Sequence, residues 1–184
     1  MNTAIQTHNL TGTYVLDTSH TQIGFVARHA MVTKVRGVFN EFSGKAEINE
    51  ENPQASSVEV NIQAASIDTR NADRDDHLRS SDFLQLDEYP TIDFRSTNVE
   101  RTGDDTVNIT GDLTIKGVTN SVTIPFTYMG KAKDPFGNER VGFEGSTTIN
   151  RKDFGITWNA ALETGGVLVS DKVTLEFEVS AIKQ

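Results

Sequence analysis

Three of the four histidines, His20, His29 and His77, have side chains that could move a proton or bind a metal near neutral pH. Their long, irregular spacing gives no local ligand motif, so no metal site is expected. A structural histidine bonded to backbone or to a nearby carboxylate accounts for His20 and His29. Contact with a ligand's polar head is the functional reading, for His29 above all. Asn71, Asp73, Asp75 and Asp82 fall at places reminiscent of a calcium loop. Asp76, however, occupies the position that needs glycine, and Arg74 and Arg79 put positive charge inside it. The same residues read better as a short helix over about 71–79. Asn71 caps it, Asp73 and Asp75 sit in its first turn, and Arg79 sits in its last. Asp75, His77, Arg79 and Asp82 would then form a lattice of ion pairs, or Arg79 would grip a phosphate head with its two-pronged guanidinium.

Other short patterns lack their context. Asp153-Phe154-Gly155 matches a kinase triplet, but no glycine-rich loop or catalytic loop accompanies it. It reads as the start of a strand with Phe154, Ile156 and Trp158 on one face. Asn108-Ile109-Thr110 is a glycosylation sequon by pattern only. The absence of cysteine excludes disulfides, thiolate metal sites and cysteine nucleophiles. With no nucleophile elbow and no dinucleotide fingerprint either, neither catalysis nor a cofactor is expected.

The elements that position these residues are strands. The 184 residues, 36% hydrophobic and 23% charged, suit one folded domain, here expected over 12–184 behind a flexible tail of residues 1–11. A net charge of −9 argues against a nucleic-acid partner. Met1 to Gly12 shows neither the basic start nor the apolar run of a secretory signal, which makes the cytoplasm the expected compartment. No stretch approaches the roughly 20 apolar residues of a membrane-spanning helix.

Period-two alternation recurs along the chain. Ile23, Phe25, Ala27 and His29 share a face, partnered by Val35, Gly37 and Phe39. Val58, Val60, Ile62 and Ala64 form another row, and so do Ile92 and Phe94. Leu113 lies in the row from Val107 to Ile115, Phe126 and Tyr128 in the row from Val122, Phe143 in the row from Val141, and Phe177 in the row from Val173. Gly103-Asp104-Asp105, Lys116-Gly117 and Asp134 to Asn138 supply tight turns, and tight turns imply antiparallel pairing. One short helix cannot cover so large a sheet, which must close on itself or pair with a second sheet. The expected fold is all-β: an antiparallel, lipocalin-like extended barrel of about eight strands. Its large and small inner residues allow either mutual filling or a ligand cavity.

Five motifs in order carry a resemblance. They are Asp17-Thr18-Ser19-His20 with Ile23, Phe25 and His29; Arg74 to Phe83; Tyr89-Pro90-Thr91-Ile92-Asp93-Phe94; Gly111 to Thr119; and Arg151 to Trp158. The set resembles the YceI-like family of polyisoprenoid-binding proteins across nearly the whole chain from Gly12. The resemblance implies an extended barrel with an apolar tunnel, an isoprenoid or fatty-acyl ligand, and admits a homodimer. Leu84 departs from it, standing where many relatives carry a second aromatic residue after Phe83. The ligand contacts expected are Phe25, His29, Phe39, Ile62, Phe83, Phe94, Leu113, Phe126, Tyr128, Phe143, Trp158 and Phe177, with His29, Arg79 and Tyr128 as head-group candidates. An isomerase or hydrolase using His29 or Tyr128 in the same cavity, and a filled barrel serving as an interaction scaffold, are the competing readings.

Overall fold

The computed structural model describes residues 7–184. Its strands are β1 (Gly12–Leu16), β2 (Gln22–His29), β3 (Thr33–Phe39), β4 (Phe42–Ile48), β5 (Ser57–Gln63), β6 (Ile67–Asp68), β7 (Thr91–Arg101), β8 (Thr106–Ile115), β9 (Val118–Lys133), β10 (Glu139–Asn150) and β11 (Lys172–Lys183). All pairings are antiparallel, in the order β1-β4-β5-β7-β8-β9-β10-β11, and β11 returns to β1 through Tyr14↔Lys183 and Leu16↔Ala181. That return closes an eight-stranded barrel and removes its sheet edges. β2, β3 and β6 prolong the wall beyond the ring, with β2 pairing the first half of β11.

The turns follow from residue type. Lys116 and Gly117 have φ of 53° and 73°, the geometry of a two-residue hairpin that joins Ile115 to Val118. In the β9–β10 loop the Asp134 carboxylate accepts the Phe136 and Asn138 amides at 2.9 and 3.0 Å, holding the loop in shape.

The helix α1 spans Ala72–Arg79, and the Asn71 side chain accepts the Arg74 amide at 3.0 Å. Its charges serve the backbone more than each other. Buried Asp75 accepts the Thr69 amide at 2.9 Å, and Arg74 donates to the Thr69 carbonyl at 2.7 Å. Arg79 donates to the Ala65 and Ile67 carbonyls at 3.1 and 3.2 Å, so α1 is tied to the end of the wall formed by β6.

Two expectations change. Residues 151–154 form a 3-10 helix rather than a strand, because Asn150 caps the Lys152 amide and Gly155 turns the chain at φ 73°. The cause lies one residue upstream of the kinase-like triplet's neighbour Lys152. Arg151, 4% exposed, donates to the Ser170, Ile156 and Trp158 carbonyls at 2.8 to 2.9 Å and gathers the returning loop around itself. Of the tail expected over residues 1–11, residues 1–6 lie outside the described residues. Leu10 is buried on the barrel, its amide held by Glu50 at 2.8 Å. No helix among the described residues is long and apolar enough to cross a membrane.

Candidate ligand cavity

Alternation sends one face of every ring strand inward, and the inward faces enclose a cavity of about 380 Å³. Ile23, Phe25 and Phe39 line it from β2 and β3, Ile62 from β5, and Phe94 from β7. Leu113, Phe126, Tyr128, Phe143 and Phe177 line it from the four strands that follow, and Phe83 from the segment after α1.

The phenylalanines leave the axis open because several lie over glycine. Phe25 faces Gly37 and Phe126 faces Gly145 directly across the ladder, while Phe94 reaches Gly111 diagonally. A Cβ added to Gly111 or Gly145 would stand 2.5 Å from the Phe94 or Phe126 ring. Each ring thus occupies wall volume that a second side chain would otherwise take. The inner glycines thin the wall under the rings rather than forming the void themselves.

The cavity is polar at one end only. Around the end where β7 turns into β8, its lining includes His8, Glu50, Arg101, Asp104 and Asp105. His8 stacks on Tyr128 with ring centroids 4.4 Å apart, and its Nε2 lies 3.0 Å from Asp105 Oδ1. Burial raises the Tyr128 phenol above its ordinary pKa, and the negative charges of Glu50 and Asp105 push it the same way. At the far end the lining is Leu78, Phe83, Leu84, Ile115, Phe154 and Ile156, together with Arg151, whose guanidinium is turned to backbone carbonyls. Leu84 is buried there among them.

Three of the expected contacts lie outside the lining. His29 is exposed at the end of β2 and bridges to Val169. Trp158 packs against Phe83 and His77 at centroid distances of 5.4 and 4.7 Å, behind the cavity wall. Arg79 holds the carbonyls already described. His20 caps the Asp17 carboxylate at 2.6 Å on the outer surface, and His77 meets Asp82 at 2.8 Å. No group of three or more His, Cys, Asp or Glu among the described residues is placed to hold a metal. Sequence reasoning missed the polar rim of His8, Glu50 and Arg101, and it missed the lining from Tyr14, Leu16, Ala46 and Ile48 on β1 and β4. The alternation of Phe42, Gly44, Ala46 and Ile48 was the available signal for β4.

The profile of the YceI-like domain matches residues 14–181. The chain belongs to the YceI-like family. The matched span of this YceI-like protein begins and ends on β1 and β11, whose pairing closes the ring. A UPF0312 protein of Pseudomonas aeruginosa is 43% identical over 90% of this chain and 83% of its own. One from Ectopseudomonas mendocina is 46% identical over 75% of this chain and 72% of its own. Among solved structures, Burkholderia cenocepacia BcnA superposes with a TM-score of 0.79 at 25% identity, over 90% of this chain and 98% of that one. The Campylobacter jejuni YceI protein gives 0.74 at 29% identity, over 85% and 90%. A polyisoprenoid-binding domain from Saccharophagus degradans shares the fold, with a TM-score of 0.70 at 15% identity over 93% and 98%.

Proposed function

We propose that this YceI-like protein binds one long apolar lipid, of polyisoprenoid or fatty-acyl type, inside the barrel, and thereby stores or carries it. The observation that carries the reading is a cavity of about 380 Å³ walled by aliphatic and aromatic side chains and polar at a single end. A chain-like guest matches that polarity. Its tail would lie along Phe94, Leu113, Phe126 and Phe177 toward Phe83, each buried methylene contributing about 0.8 kcal/mol. Its head would rest at Tyr128, the one head-group candidate that lines the cavity. The ligand named for the S. degradans fold neighbour, a polyisoprenoid, supports the same class.

Organic extraction of gently purified protein, followed by mass spectrometry, tests the reading. The expected extract holds a hydrophobic lipid in near-equal amount to protein. Protein that yields none, and takes up none when offered, sinks it.

A further inference from the structure

The polar end of the cavity has a sign. Glu50 and Asp105 bring carboxylates to it, against the Arg101 guanidinium and the His8 imidazole. Both of these groups are engaged by the protein itself. Arg101 donates through Nε to the Gly103 carbonyl at 3.0 Å and through Nη2 to the Asp104 carbonyl at 2.7 Å, while Nη1 lies 3.6 Å from Glu50. His8 Nε2 faces the Asp105 carboxylate and, at 2.9 Å, the Asp104 carbonyl. Lys45 also touches the cavity wall, but its ammonium stands outside, 3.6 Å from Glu59.

Glu50 and Arg101 are largely shielded from water, with side chains 10% and 15% exposed, whereas the Asp105 side chain is 57% exposed, so the outer edge of the rim is open to screening by salt. Burial, and then the carboxylates Glu50 and Asp105, raise the Tyr128 phenol above its ordinary pKa, so its hydroxyl stays a hydrogen-bond donor at this rim.

We infer that this rim selects lipids with an uncharged, hydrogen-bonding head, such as an alcohol, over lipids ending in carboxylate, phosphate or diphosphate. The inference rests on the lipid-binding reading above and goes one step further, to the chemistry of the head. An alcohol accepts from the Tyr128 hydroxyl and donates to a rim carboxylate. An anion meets the like charge of Glu50 and Asp105, with the nearest guanidinium already turned to the Gly103 and Asp104 carbonyls and to Glu50.

The test is paired binding of farnesol and farnesyl diphosphate to the full chain by equilibrium dialysis, at low and at high salt. The expected result is a preference for the alcohol of at least about tenfold at low salt, narrowing as salt screens the rim. Asp105→Asn and Glu50→Gln should each narrow it too, chiefly by tightening the diphosphate. Diphosphate binding as tight as the alcohol in the wild type overturns the inference and leaves lipid binding standing. Failure of both ligands overturns the lipid-binding reading itself.

Discussion

The ring of Phe25 lies on Gly37 of the neighbouring strand, with its Cε1 atom 2.6 Å from the point a Cβ would occupy. The two residues face each other across β2 and β3, so ring and glycine together fill one layer of wall and leave the axis clear. Ring atoms are all that a methyl on Gly37 would strike among its nearest neighbours, whereas at Gly111 and Gly145 it would also press on backbone carbonyls.

Gly37→Ala therefore drives the Phe25 ring into the lumen. Overpacking should lower stability by about 1–3 kcal/mol and reduce lipid uptake several-fold. Adding Phe25→Leu should return most of both. Denaturant unfolding and lipid titration of the two variants measure this. Unchanged uptake by Gly37→Ala would show that the ring does not border the ligand.

A charge placed inside the lumen should empty it. Phe126→Asp sets a carboxylate on the apolar wall beside Phe177, where burial of the charge is costly. A folded Phe126→Asp protein should yield no lipid on extraction. Retention at the wild-type level would move the ligand away from β9.

Arg151 is the structural centre of the far end. Its guanidinium satisfies the Ile156, Trp158 and Ser170 carbonyls, and Asp171 lies 3.7 Å away. Arg151→Met leaves those carbonyls unpaired. The cost should reach about 3 kcal/mol. For a chain of this size that lowers Tm by about 6–12 °C, measurable by calorimetry.

Acid should weaken the carboxylate ties around the β9–β10 loop. Asp134 is pushed up by burial, but the Asn138 amide, the Arg140 guanidinium at 2.8 Å and the Asn138 side chain outweigh this and bring its pKa to about 2. Asp17, bonded by Ser19 and His20 and paired with Arg140, lies well below the ordinary carboxylate range. A carboxyl depressed on folding adds stability above its ordinary pKa of about 3.9. That contribution is lost as pH falls toward and through the folded value. Stability should thus drop between about pH 4 and pH 2, and Asp134→Asn should flatten part of that slope. A wild-type slope matched by the variant would contradict it.

The long strands were legible because their rows alternate without interruption. From Val107 to Ile115, and from Val173 to Val179, each inward residue is large or glycine and each outward one mostly polar. The breaks were harder. Asp17 to Thr21 divides β1 from β2, and Asn40-Glu41 divides β3 from β4. The pieces left are short, and small inner residues such as Gly44 and Ala46 blur the period. Closure through Leu16 and Ala181 joins opposite ends of the chain, which local pattern cannot report. The rim was hidden for a related reason, since His8, Glu50 and Arg101 are far apart in the chain and meet only through the pairing of β1, β4, β5 and β7. Arg151 was unreadable because its partners are carbonyls, which every residue has.

Native mass spectrometry of the full chain with added geranylgeraniol bears most directly on whether the barrel receives a lipid. The expected spectrum shows one alcohol per chain, lost when Leu113→Trp fills the lumen of a still-folded barrel. A chain that stays unliganded, or a Leu113→Trp variant that binds as well as the wild type, would contradict occupation of the cavity.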